Sequence, residues 1–176
     1  MSVVAIPDPS LVVLVGAAGA GKSTFAARHF DPSEILSSDR YRAIISGDEA
    51  DQGVTRAAFA RLHSDLSRRL RAGLLAVVDA TNVERSARRA LLDRANDAGV
   101  SAVAIVLDLP AALVLTRNAA RTGRVVDEAA VRHHLAQLRG AIDGPAAALL
   151  GEGFASVTIL RDPLEVDQVA IGRVSS

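Results

Sequence analysis

The 176-residue chain carries 20 basic and 20 acidic side chains, and it is 49% hydrophobic but only 3% aromatic. That length suits one domain with a sizeable core rather than two, and Val, Leu, Ile and Ala must build it. Zero net charge excludes a broad positive field though not a local basic patch, and the absence of cysteine excludes disulfides, thiolate metal sites and a cysteine nucleophile.

The opening MSVVAIPDPS has no basic n-region, and no apolar run approaches the roughly 20 residues of a membrane helix, which points to a cytoplasmic protein. Strands are predicted at 11–15 (LVVLV), 34–38 (EILSS), 74–78 (LLAVV), 103–107 (VAIVL) and 154–160 (FASVTIL). Three of them are almost wholly aliphatic, as in parallel strands buried on both faces. Between them Phe59, Leu62, Leu66 and Leu70 fall at helical spacing with Gly73 as the stop, and Ala87, Leu91, Ala95 and Ala98 do the same before Gly99. Val131, Leu135, Leu138 and Ile142 mark a later helix with Asp127 as its N-cap. The alternation predicts a single α/β domain over 1–176, a doubly wound parallel sheet of about five strands flanked by helices, with ligands at the carboxyl ends of the strands.

The first strand runs into GAAGAGKST, which holds the only lysine among twenty basic residues. The stretch fits G-x-x-x-x-G-K-[ST], in the strand-then-helix context that the motif requires. Gly16, Ala17, Ala18, Gly19, Ala20 and Gly21 leave backbone N–H groups clear to curl around phosphate oxygens at a helix start, with Thr24 beyond them. Lys22 reaches the β- and γ-phosphates as a compact charge that a planar arginine does not replace. Ser23 offers its hydroxyl to Mg²⁺. The bland alternative is an ordinary strand–helix connection.

Two carboxylates follow strands. Asp39 of LSSDRYR stands where a base could orient an acceptor hydroxyl and take its proton, with Arg42 one turn on to hold an anionic part of the acceptor. The alternative is that Ser38 or Asp39 caps the next helix. Asp79 of VVDATN is placed to hold a magnesium-bound water, while Thr81 to Glu84 also reads as a capping box. Between Arg117 and Arg139 five arginines face only Asp127 and Glu128. Arg117 and Arg121 share a helical face before the Thr122-Gly123 break and suit a lid that closes on phosphoryl oxygens. Arg124, Arg132 and Arg139 read as solvated, and His133-His134 as a surface pair without a third metal ligand.

GAAGAGKSTFA, SSDRYR, DATN and RNAARTGR, in that order, resemble the polynucleotide 5′-kinase module of bacterial polynucleotide kinase-phosphatases, which are RNA-repair enzymes. The likeness runs from strand 11–15 to strand 154–160, and DQGVTRAAFARLH fits the helical segment between the second and third strands. It implies a P-loop kinase fold with an arginine-bearing helical lid. The activity implied is transfer of the γ-phosphate of ATP, or another NTP, to the 5′-OH of RNA or DNA with Mg²⁺ or Mn²⁺. Lys22 and Ser23 would then hold donor phosphates and metal, and Asp39 would be the general base. Arg42 would engage the acceptor strand, and Arg117 and Arg121 the donor. Gln52, Val125, Val126 and Val131 would border the acceptor's terminal nucleotide. Phosphatase and ligase modules are expected in such a full-length protein, of which this chain looks like the N-terminal kinase domain. Two other readings stay open: a small-molecule or nucleotide-sugar kinase of the zeta-toxin-like type, and a nucleotide-binding switch without phosphotransfer.

Overall fold

The computed structural model describes residues 3–47, 54–143 and 147–175. Its elements in chain order are β1 (Val3–Asp8), β2 (Ser10–Val15), α1 (Lys22–His29), β3 (Ile35–Ser37), α2 (Ser38–Ser46), α3 (Thr55–Arg71), β4 (Ala76–Asp79), α4 (Arg85–Asp97), β5 (Ser101–Leu107), α5 (Ala111–Ala119), α6 (Glu128–Ile142), α7 (Ala147–Leu150), β6 (Ser156–Leu160), α8 (Pro163–Gln168) and β7 (Ala170–Ser175).

Five strands form a parallel sheet in the order β3-β4-β2-β5-β6, with β2 at its centre and buried throughout. Alternate side chains of that sheet enter two separate cores, as the twofold period of a strand dictates. Leu11, Val13 and Val15 of β2, with Ala76 and Val78 of β4, pack against Leu62, Leu66 and Leu70 of α3 and Leu91 and Ala95 of α4. Val12, Leu14, Val77, Val103 and Ile105 face Phe25 and Ala26 of α1, Val114 of α5 and Ile6 of β1. The expected aliphatic runs at 11–15 and 103–107 are strands because neither face is left to water, whereas the run at 74–78 becomes strand only at Ala76, with Leu74 exposed.

Helix ends follow local chemistry. Gly73 (φ +69°) and Gly99 (φ +68°) take up left-handed backbone just past α3 and α4. Asp127 caps α6 by accepting from the N–H groups of Ala129 and Ala130. The Thr81–Glu84 capping box does not form: α4 starts only at Arg85, with Glu84 at its N-cap and no side-chain capping bond. A second, two-stranded parallel sheet pairs β1 with β7, Val3 opposite Ala170 and Asp8 opposite Ser175, joining two segments that showed no strand signal. Arg173 of β7 ties this ribbon to Glu34 through two 2.8 Å hydrogen bonds.

Candidate active site

The β2–α1 loop, residues 16–21, is shaped by its glycines. Gly19 and Gly21 hold φ of +87° and +93°, where a side chain would be strained. A Cβ on Gly19 would stand 2.5 Å from the Val114 carbonyl oxygen, so α5 lies directly on the loop. The Gly16 N–H donates to the Thr81 carbonyl at 3.0 Å, anchoring the loop to the segment after β4. Gly21 caps α1 without a side-chain bond, leaving the helix's first amides for a ligand's oxygens.

Lys22 opens α1. Its buried ammonium donates to the carbonyls of Gly16 (2.9 Å) and Ala17 (2.8 Å). Burial lowers it to about 8, against the pull of Asp79 and Asp39 and with Arg121 adding to the lowering. The Ser23 hydroxyl donates to Asp79 Oδ2 at 2.7 Å. The pair is a hydroxyl and a carboxylate beside the phosphate loop, the hard oxygen donors that Mg²⁺ takes together with phosphate and water. Among the described residues no cluster of three or more His, Cys, Asp or Glu side chains could hold a metal.

Asp79 ends β4 opposite Leu14 of β2 and Ser37 of β3. The register therefore sets it on the same sheet edge as the loop and as Asp39. The turn after it is rigid. Asn82 adopts φ +49° and its Nδ2 donates to the Leu14 carbonyl at 2.8 Å. Arg88, 2% exposed, donates from Nη1 to the carbonyls of Asn82 and Val83 and grips Glu152 through two 2.7 Å bonds.

Asp39 lies in the first turn of α2, whose N-cap is Ser37 with no side-chain capping bond. It is thus not a cap, and its carboxylate faces arginines. Arg42 Nη1 and Arg124 Nη1 both donate to Oδ1, the latter at 2.8 Å, and Arg121 Nη2 stands 3.8 Å from Oδ2. Tyr41 donates to Asp65 of α3 at 2.8 Å, fixing α2 in place. Arg42 is 5% exposed, and its Nε lies 3.4 Å from Thr55 Oγ1. Its guanidinium is therefore engaged with Asp39 inside the fold rather than lining the open cavity.

A cavity of about 390 Å³ joins these groups, lined by the loop from Ala18 to Thr24, Asp39, Asp79, Arg117, Arg121, Arg124, Val126 and His134, and at its far end by Arg28, Pro163 and Val166. Arg117 projects from α5 with Nη1 3.8 Å from where a Gly21 Cβ would be. The lid is helical only in part: α5 ends at Ala119, so Arg121 sits past the helix rather than on its face. The break at Thr122-Gly123 acts earlier than its position suggests, because the buried Asn118 pulls the chain back, donating to the Val126 carbonyl at 2.7 Å and accepting from the Val126 N–H at 3.2 Å. That turn carries Arg124 over Asp39, so Arg124 belongs to the site and is not a solvated residue. Arg132 is solvated, paired with Glu128 on α6.

His134 also departs from expectation: it is half-buried and lines the cavity, while only His133 is exposed. Val131 is fully buried in the core and cannot border an acceptor, whereas Val125 is exposed and Val126 faces the cavity. Gln52 lies outside the described residues. The sequence did offer a signal for His134, which falls three residues after buried Val131 and four before buried Leu138, on the inward stripe of α6.

A parallel sheet in this order, with a phosphate loop after its central strand and an acidic side chain after a neighbouring one, defines a P-loop nucleotide-binding domain of the kinase type. The AAA domain family model, here its P-loop kinase kind, matches residues 11–145, and the chain belongs to that family. No curated protein matches the chain by sequence. Among solved structures, the chain is similar to one in the Pnkp1/Rnl/Hen1 RNA repair complex, at 26% identity and TM-score 0.61, covering 77% of this chain and 45% of that one. It thus spans less than half the length of that relative. A sugar kinase from Janibacter sp. HTCC2649 shares the fold at 20% identity, TM-score 0.55, over 91% of this chain and 87% of that one. A gluconokinase from Sinorhizobium meliloti 1021 shares it at 17% identity, TM-score 0.51, over 89% and 84%. No helix among the described residues is long and apolar enough to cross a membrane.

Proposed function

We propose that this domain is a polynucleotide 5′-hydroxyl kinase that moves the γ-phosphoryl group of ATP or another NTP to the 5′-OH of RNA or DNA in end repair, as one module of a larger repair protein. The observation that carries the reading is Asp39, a carboxylate in the phosphate cavity with Arg42, Arg121 and Arg124 around it. Among the described residues the guanidinium groups of Arg42, Arg121 and Arg124 gather on this one carboxylate, a basic setting that suits an acceptor whose hydroxyl is accompanied by phosphate. The RNA repair complex chain, at 26% identity, adds weight.

In this reading the loop amides and Lys22 bind the β- and γ-phosphates, and Arg117 and Arg121 close over them. Ser23 and, directly or through water, Asp79 would hold Mg²⁺, which would supply charge to neutralise the phosphates. Asp39 orients the 5′-hydroxyl and accepts its proton as the O–Pγ bond forms. The bond from Pγ to the β–γ bridging oxygen breaks, and the nucleoside diphosphate leaves.

One observation favours a second reading, a small-molecule kinase. Arg42, expected to grip the strand's phosphodiester, is buried on Asp39 and Thr55. An acceptor series separates the two: a 5′-OH oligonucleotide, a nucleoside 3′-phosphate, a free nucleoside and gluconate. The proposed function predicts strong transfer to the first and a collapse as the strand is shortened. Equal or better transfer to gluconate or free nucleoside overturns it.

A further inference from the structure

We infer that His134 is a phosphate-donor ligand of this cavity, giving an Nε2–H hydrogen bond to the polyphosphate as a neutral imidazole. The inference rests on the reading of the cavity as a donor site. Its basis is geometric. His134 of α6 lines the cavity together with the phosphate loop. Its Nδ1 is buried with no hydrogen-bond partner among the described residues, which leaves Nε2 as the ring nitrogen for a ligand.

That burial also decides the tautomer. A proton on Nδ1 would be an N–H sealed from water without an acceptor, a costly arrangement, so the single proton belongs on Nε2. The surroundings act the same way. Burial and the charges of Lys22 from α1, neighbouring His133 and Arg124 from the lid turn hold the imidazole below its ordinary value, with Glu84 from the segment after β4 opposing them. Asp39, Asp79, Arg117 and Arg121 stand further along the same cavity. An uncharged donor among cations adds a directed hydrogen bond without adding to their mutual repulsion.

The test uses binding, not turnover, with ADP–Mg²⁺ and inorganic tripolyphosphate as probes. His134→Leu removes the donor at similar volume, and His134→Gln replaces the Nε2–H with an amide N–H at about the same reach. The expected result is a Kd about fivefold to tenfold higher for both probes in His134→Leu, recovery to within about twofold in His134→Gln, and no change in His133→Leu. With only four histidines in the chain, ¹⁵N spectra should show His134 with Nε2 protonated and Nδ1 bare, before and after ADP binds. Unchanged affinity in His134→Leu, a Gln variant as weak as Leu, an effect on ADP but not tripolyphosphate, or a protonated Nδ1 overturns the inference while leaving the proposed function standing. A wild-type protein that binds neither probe overturns both.

Discussion

Gly19→Ala is the substitution whose cost the geometry fixes best. Two penalties combine at that position. An L side chain at φ +87° costs roughly 1–2 kcal/mol against a right-handed conformation. The new methyl would also lie 2.5 Å from the Val114 carbonyl oxygen and 3.0 Å from the Asn118 backbone nitrogen. Both are backbone atoms of α5 that move only with the helix, and overpacking of this sort costs about 1–3 kcal/mol. Gly21→Ala is the internal control. Its φ is +93°, but its nearest neighbour is the flexible tip of Arg117 at 3.8 Å, so only the conformational penalty of roughly 1–2 kcal/mol applies. Urea unfolding of both variants, followed by far-UV circular dichroism, should place Gly19→Ala below Gly21→Ala by about 1–3 kcal/mol. Gly19→Ala should also weaken ADP binding, because α5 carries Arg117 and leads into the lid turn. Equal destabilisation of the two variants would refute the close approach of α5 to the loop.

Other outcomes follow from the buried charges. With Lys22 lowered from 10.5 to about 8, the unfolded chain holds the extra proton between those values. The empty protein should therefore gain stability over Lys22→Met as pH rises through that window, by up to about 3 kcal/mol. Donor affinity should fall as pH rises through about 8, because the charged lysine is the form that meets phosphate; a flat affinity profile from pH 7 to 9.5 would contradict this. Arg88→Ala leaves the part-buried Glu152 carboxylate without its two bonds and should cost up to about 3 kcal/mol in urea unfolding, whereas replacing both residues with apolar ones should cost far less. A single-variant loss under 1 kcal/mol, as for a surface pair, would contradict the burial assigned to it.

The legible parts of this protein are those whose reasons are local. The strands at 11–15 and 103–107, and the run at 74–78 from Ala76 on, are legible because both faces are buried, and Gly73, Gly99 and Asp127 act through their own backbone neighbourhood. Lys22, Ser23 and Asp79 meet because a loop and a strand end are brought together by sheet register alone. β1 and β7 are not legible because β7 buries none of its side chains fully and each finds its partner at the other end of the chain. Arg124 reaches Asp39 across 85 positions, aimed by a turn that two bonds of Asn118 hold. Nothing in its local sequence separates it from Arg132, which ends in water. Thr81 reads as a cap in the sequence, but its carbonyl serves the phosphate loop, and α4 begins only at Arg85.

The central claim is that Asp39 activates a polynucleotide 5′-hydroxyl beside a nucleotide held by the phosphate loop. Its most direct test is label transfer from γ-labelled ATP–Mg²⁺ to a 5′-OH oligonucleotide, comparing wild type with Asp39→Asn and using the 5′-phosphorylated strand as control. The account predicts 5′-end label with wild type and the free hydroxyl only, and a loss of at least about 10²-fold in Asp39→Asn while ADP still binds. Transfer by Asp39→Asn at the wild-type rate, or no transfer to the strand by a wild-type protein that binds ATP, would contradict it.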